Sequence, residues 1–157
     1  MTIEDALREA LVEARRGAAS GEHPYGAVVL DSDGQIVARA HDQVLQDGDL
    51  TSHAELLAVR RAARARGSDL AGHRLVSTVE PCAMCFSSAW TARVSGLAYG
   101  LSMEELKAMR PDAMDDIVIS SRELNELADR RLDIVPGVLR EECLALWTGP
   151  EAEPQGS

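Results

Sequence analysis

Metal-ligating residues stand at two places where this chain has to begin a helix, and that pairing restricts the fold more than any other feature. His53-Ala54-Glu55 follows the polar pair Thr51-Ser52, and Cys82-Ala83-Met84-Cys85 follows Pro81. Proline suits the first turn of a helix, where its missing N–H leaves no bond unmade. His53 and Glu55 are two residues apart, roughly 200° around an ideal helix. They can serve one pocket only if that pocket lies over the helix's start. Cys82 and Cys85, three apart, share a face. The chain must therefore bring two helix N-termini to one point.

The chemistry of the four side chains is specific. A structural zinc site is closed by four protein ligands, whereas a catalytic one uses three and leaves a place for water. His53, Cys82 and Cys85 make three, and Glu55 is left over to move protons. The positive ends of two helices favour thiolates and a bound hydroxide. Two thiolates offset the charge of Zn²⁺, so a general base beside the metal helps to activate the water. Other readings of the same residues exist. Ser52-x-x-Glu55 is also a capping-box pattern, and Cys82 with Cys85 could be a redox pair or half of a structural site. The remaining cysteine, Cys143, lies in an apolar helical pattern and is expected to be a buried small hydrophobe. No second pair is present to close a structural site, which favours catalytic zinc.

Length and charge narrow the class. The chain has 157 residues, 45% hydrophobic and 27% charged, the profile of one globular domain. Residues 1–148 are expected to form it, with 149–157, rich in Pro, Gly and Glu, as a flexible tail. No basic, apolar leader opens the sequence, and no apolar run reaches the roughly 18 residues of a membrane span. The expected compartment is the cytoplasm. The formal net charge is −10, with Lys107 the single lysine. Despite the arginines between Arg60 and Arg66, such a field repels polyanions. A small neutral substrate is expected, with no nucleic acid and no membrane as partner.

Periodicity gives alternating elements. A helix is predicted over residues 2–17, with Thr2 and Asp5 as a capping box and Gly17 as its stop. Strands follow at 25–30 and 35–40, joined by the turn Asp31-Ser32-Asp33-Gly34. A polar loop, 41–51, leads into a helix over 52–66, ended by Gly67. A strand at 74–79, a helix from Pro81 to about 92 and a strand at 94–99 come next. Two helices are expected between 102 and 129, around Pro111 and the Ile117-Val118-Ile119 run, with Ser120 and Glu123 as a second capping box. A short strand at 132–135 and a helix at 137–147 close the chain. This alternation predicts a three-layer α/β domain.

Pro24-Tyr25-Gly26-Ala27-Val28, Thr51 to Glu55 and Val79-Glu80-Pro81-Cys82-Ala83-Met84-Cys85 make the chain similar to the cytidine deaminase-like superfamily, whose H-x-E…P-C-x-x-C signature they carry. Among its branches the chain most resembles bacterial guanine deaminases and tRNA adenosine deaminases, the latter also through residues 137–143. The resemblance implies an α/β/α sandwich around a central mixed five-stranded sheet, one Zn²⁺ on His53, Cys82 and Cys85, Glu55 as catalytic acid and base, and a homodimer. It implies hydrolytic release of ammonia from a nucleobase or nucleoside, guanine or a related aminopurine first and cytosine second. A tRNA-specific adenosine deaminase is the alternative. The candidate substrate-binding residues are Asp42, Ala54, Tyr25 and Trp90. Relatives generally carry an asparagine where this chain has Asp42, and an ionised aspartate only accepts hydrogen bonds. An edge rich in N–H groups would suit it; otherwise Asp42 is a turn residue. Tyr25 and Trp90 either stack on a base or pack in the interior. His23, His41 and His73 carry no ligand pattern and are expected at the surface or at strand ends. Trp147 either closes over a pocket or packs in an interface.

Overall fold

A computed structural model describes residues 1–113, 115–149 and 152. The expected tail lies, apart from residues 149 and 152, outside them. Five strands form one mixed sheet in the order β2-β1-β3-β4-β5. β1 (Gly26–Leu30) runs antiparallel to both β2 (Ile36–His41) and β3 (Arg74–Val79), while β4 (Gly96–Leu101) and β5 (Asp133–Val135) continue parallel to β3. The predicted three-layer sandwich is the observed one. β1 is buried throughout, and its side chains alternate between two cores, as pleating requires. Val28 and Leu30 meet α1 (Ile3–Ala19) and α7 (Arg140–Thr148) on one face. Ala27 and Val29 meet α3 (Ala54–Arg66) and α4 (Ala83–Thr91) on the other. α4 belongs to both cores: Cys82 and Cys85 at its start join the first, Phe86 and Ala89 the second.

Local chemistry explains the boundaries. The capping box of Thr2 and Asp5 starts α1. Gly17 does not stop it: the helix runs to Ala19, and Gly17 is buried within it against the His41 ring. Asp31 accepts hydrogen bonds from the N–H groups of Asp33 and Gln35 (both 2.9 Å), and Gly34 takes the left-handed conformation that closes the hairpin. The expected polar loop contains one helical turn, α2 (Val44–Asp47), ended by Gly48 in the left-handed region. β4 begins two residues later than its apolar pattern suggests. Val94 donates its N–H to Ala89 O and finishes α4, after Arg93 at φ 68°. α5 (Met103–Met109) stops before Pro111, which opens a single 3₁₀ turn, Pro111–Ala113. The Ile117-Val118-Ile119 run is not helical: Ile117 is 75% exposed, and α6 (Ser121–Leu127) starts after it with the predicted Ser120–Glu123 box.

One contact sets the distance between α1 and the sheet. A methyl group on Gly26 would overlap the Ala10 carbonyl oxygen and lie 2.5 Å from the Ala14 nitrogen. Only a residue without Cβ lets the helix lie directly on β1 there. No helix among the described residues is long and apolar enough to cross a membrane.

Candidate active site

The site forms at one end of the sheet, where the start of β1, the end of β2 and the end of β3 meet, as the antiparallel registers Gly26↔His41 and Ala27↔Ser77 require. Ligands of open α/β sheets collect beyond the carboxyl ends of their strands. Four residues after Val76 has paired with Val28, the chain leaves β3 through Glu80 and Pro81 into α4. His53 is the N-cap of α3 and Cys82 the N-cap of α4, both with extended backbone, and neither uses its side chain to cap its own helix. Both side chains are thereby free to turn toward each other. Together with Cys85, their donor atoms lie within 4.8 Å of one another.

This trio fits zinc. Bond lengths of about 2.3 Å to sulfur and 2.0 Å to nitrogen at a tetrahedral angle need about 3.5 Å between the two donors. The observed distance from His53 Nδ1 to Cys82 Sγ is 3.6 Å. Cys82 is pulled down to about 4 by its hydrogen bond with Cys85, helped by His53. The Cys85 thiol is pushed up by the same bond and by burial. His53 rises to about 9 because it bonds to the Cys82 sulfur. These shifts favour the thiolate form of Cys82, the form a metal requires.

Glu55 is 4% exposed, and burial pushes its carboxyl up to about 8. The capping-box reading of Ser52 and Glu55 does not hold: the Ser52 hydroxyl donates to Asp47 (2.8 Å), and α3 is started by Asp42 instead. Asp42 Oδ1 accepts from Ala54 N–H at 2.9 Å, from twelve residues upstream. Asp42 is 6% exposed, and burial raises its carboxyl to about 7. A local turn role for Asp42 is therefore replaced by a long-range one.

A cavity of about 600 Å³ opens over these groups, lined by His53, Glu55, Cys82, Asp42 and Tyr25 among others. Tyr25 both lines it and packs. Its hydroxyl donates to Ala113 O (3.2 Å), and its ring meets Trp147 edge-on at 5.2 Å. Two candidates are not among the lining residues. Ala54 is fully buried, with its N–H given to Asp42. Trp90, near the far end of α4, donates its indole N–H to Arg130 O and lies under the Arg130 guanidinium, so it packs against the segment after α6. Trp147 is buried against His23, stacked at 6.1 Å, and Tyr25. Cys143 is fully buried, as expected.

Sequence reasoning missed several wall residues. Glu22 and Glu80 are buried carboxylates at the cavity, Leu45 lines it from α2, and Leu50, Asp115, Asp116 and Ile117 line it from irregular segments. Apolar residues within the polar stretch 41–51, Leu45 at 73% and Leu50 at 82% exposed, were a readable signal. The buried carboxylates carried no local pattern, because their partners are distant N–H groups. Among the described residues no lysine or arginine lines the cavity.

Comparison with known proteins agrees with this geometry. The chain is 33% identical over 138 residues to the tRNA-specific adenosine deaminase of Bacillus subtilis, covering 87% of this chain and 81% of that one. It spans about a fifth of the tRNA(Ile)-lysidine synthases of Deinococcus radiodurans and Deinococcus deserti, at 44% and 42% identity over 105 and 108 residues. The guanine deaminase structure from Bacillus subtilis is 32% identical, with a TM-score of 0.65 and coverage of 69% of each chain. The fold of the guanine deaminase from Nitrosomonas europaea superposes with a TM-score of 0.81 over 91% of this chain and 81% of that one, at 24% identity. Residues 1–101, which carry His53, Glu55, Cys82 and Cys85, match the zinc-binding region of cytidine and deoxycytidylate deaminases, and the chain belongs to that family.

Proposed function

We propose that this chain removes the exocyclic amino group of a small neutral heterocycle by hydrolysis, with guanine or a related aminopurine as the first substrate and cytosine second. The observation that carries the reading is the cavity wall. Glu22, Asp42, Glu55, Asp115 and Asp116 surround the space over the ligand trio, with no cation among the described lining residues. Such a wall accepts hydrogen bonds from N–H groups and disfavours phosphate. Aminopurine edges present the matching donors.

His53, Cys82 and Cys85 would hold Zn²⁺, which supplies an acidified water at the cavity floor. Glu55 would accept a proton from the attacking water and deliver it to the ring nitrogen next to the reacting carbon. Oxygen adds to the amine-bearing carbon. Glu55 then moves a second proton to the amino nitrogen, the C–N bond breaks, and ammonia leaves as the carbonyl forms. Burial keeps Glu55 from competing water, and Asp42 fixes the helix start from which it projects.

Ammonia release over a panel of purines, pyrimidines and their nucleosides tests the proposal directly. Guanine turnover should vary little between low and high salt, and Glu55→Gln should lose about 10²–10⁴-fold in kcat while keeping its zinc. The identity to a tRNA-specific adenosine deaminase favours a second reading, adenosine in tRNA. Turnover confined to an RNA stem-loop and falling steeply with salt would select it and remove the first.

A further inference from the structure

The cavity wall opposite α3 comes from the chain between α5 and α6, which contributes Ala113, Asp115, Asp116 and Ile117. The longer stretch that includes α5, from Met103 to Ser121, begins and ends at a helix start. Each uses its own capping box, in which the N-cap serine bonds the third helical N–H. The first helical N–H of each would remain without a partner inside the helix. Both go to one carboxylate. Glu80 Oε1 accepts from Met103 N–H at 3.1 Å, and Oε2 accepts from Ser121 N–H at 2.7 Å. Glu80 is 4% exposed, and Tyr99 on β4 lies beside it. Its own N–H donates to Leu101 O at 2.8 Å, so its backbone is fixed by the adjacent strand end. Two residues on stands Cys82, the N-cap of α4.

We infer that Glu80 is a positioning residue whose carboxylate holds the two ends of the stretch from Met103 to Ser121, setting Asp115, Asp116 and Ile117 over the cavity in register with the ligand-bearing helix. The inference extends the proposed reaction, because it assigns the wall's placement, and hence the fit of the substrate, to a side chain that lies at the edge of the cavity. Charge-assisted bonds to N–H groups exceed neutral ones in strength, and a buried pair of them is costly to leave unmade. Two further contacts hold the segment between its ends. The Tyr25 hydroxyl donates to Ala113 O, and Arg110 lies over the Trp147 ring at 5.8 Å. Neither reaches both ends, and Glu80 does.

The test uses the zinc-loaded full chain and the variants Glu80→Gln, Glu80→Ala and Tyr99→Phe. Amide hydrogen exchange at Met103 and Ser121 reads the clamp without any turnover. Glu80→Gln keeps the shape and one acceptor oxygen, so one of the two amides should exchange about ten-fold faster or more while the other holds. Glu80→Ala should free both, and Tyr99→Phe neither. With guanine as substrate, KM should rise about ten-fold in Glu80→Ala, with kcat within about three-fold of the parent and zinc content unchanged. Unchanged exchange at both amides in the Gln and Ala variants overturns the inference. So does a joint loss of zinc and kcat at constant KM, which would make Glu80 a support for Cys82 alone. If the parent protein turns over no aminated base, the exchange data still decide the clamp, and the reaction proposal fails separately.

Discussion

Replacing Asp42 separates two roles that the structure combines in one carboxylate. Oδ1 accepts the Ala54 N–H at 2.9 Å, and the side chain faces the cavity. Asp42→Ala leaves that N–H buried without a partner, which costs about 1–3 kcal/mol. Removing a favourable group from a helix N-terminus adds about 0.5 kcal/mol. A sum of about 1.5–3.5 kcal/mol lowers Tm by roughly 3–14 °C in a chain of this size. Asp42→Asn keeps a carbonyl oxygen at the same place and should cost under about 1 kcal/mol. Thermal unfolding followed by circular dichroism, in saturating zinc so that metal linkage is constant, measures both. The Asn variant also exchanges an acceptor for an N–H donor on the cavity side, so relative rates over the base panel should move toward substrates with a ring acceptor. Equal Tm losses for Asn and Ala would refute the argument that the oxygen acts by holding α3. Identical relative rates across the panel would remove Asp42 from substrate choice.

Three further perturbations probe other parts of the molecule. Cys85→Ser should abolish stoichiometric zinc binding and lower Tm in zinc-containing buffer, as metal analysis and melting curves would show; full zinc occupancy in the variant would exclude Cys85 as a ligand. Gly26→Ala forces a methyl group into the backbone of α1. It should cost about 3 kcal/mol, and denaturant titration giving under about 1 kcal/mol would mean that the helix can move away. Arg140 bonds Glu105 through Nε at 2.7 Å and holds its carboxyl below the usual range. That contribution is present above the unfolded pKa of Glu105 and is lost as pH falls through the folded one. Both side chains are more than a third exposed. Arg140→Ala should therefore cost little at neutral pH and move acid unfolding to slightly higher pH. An unchanged acid midpoint would show that solvent screens the pair completely.

The metal group was legible because its logic is local. His53 and Cys82 follow helix-starting residues, and spacing alone selects which side chains face one point. The sandwich was legible for a similar reason, since Ala27 to Leu30 is an apolar run and Leu75 to Val79 is rich in β-branched residues, each bounded by turn residues. What could not be read depends on distant partners. Ser52 and Glu55 match a capping box, yet the Ala54 N–H goes to Asp42, which no local rule connects to it. Gly17 looks like a helix stop, but α1 continues because the bare backbone there admits the His41 ring. Trp90 was a candidate for stacking on a base, and its ring is taken by Arg130, forty residues later. Residues 110–113 resisted prediction because Tyr25 and Trp147, distant in sequence, hold Ala113 and Arg110.

α4 has one foot in each of the two cores. A helix confined to one layer can absorb a packing defect in the opposite layer, because the sheet stands between them as a stiff partition. This one has no such insulation. A methylene lost beneath α1 or beneath α3 can be transmitted to the same pair of sulfurs, so zinc affinity becomes a gauge of packing throughout the molecule, sensitive to substitutions far from the metal.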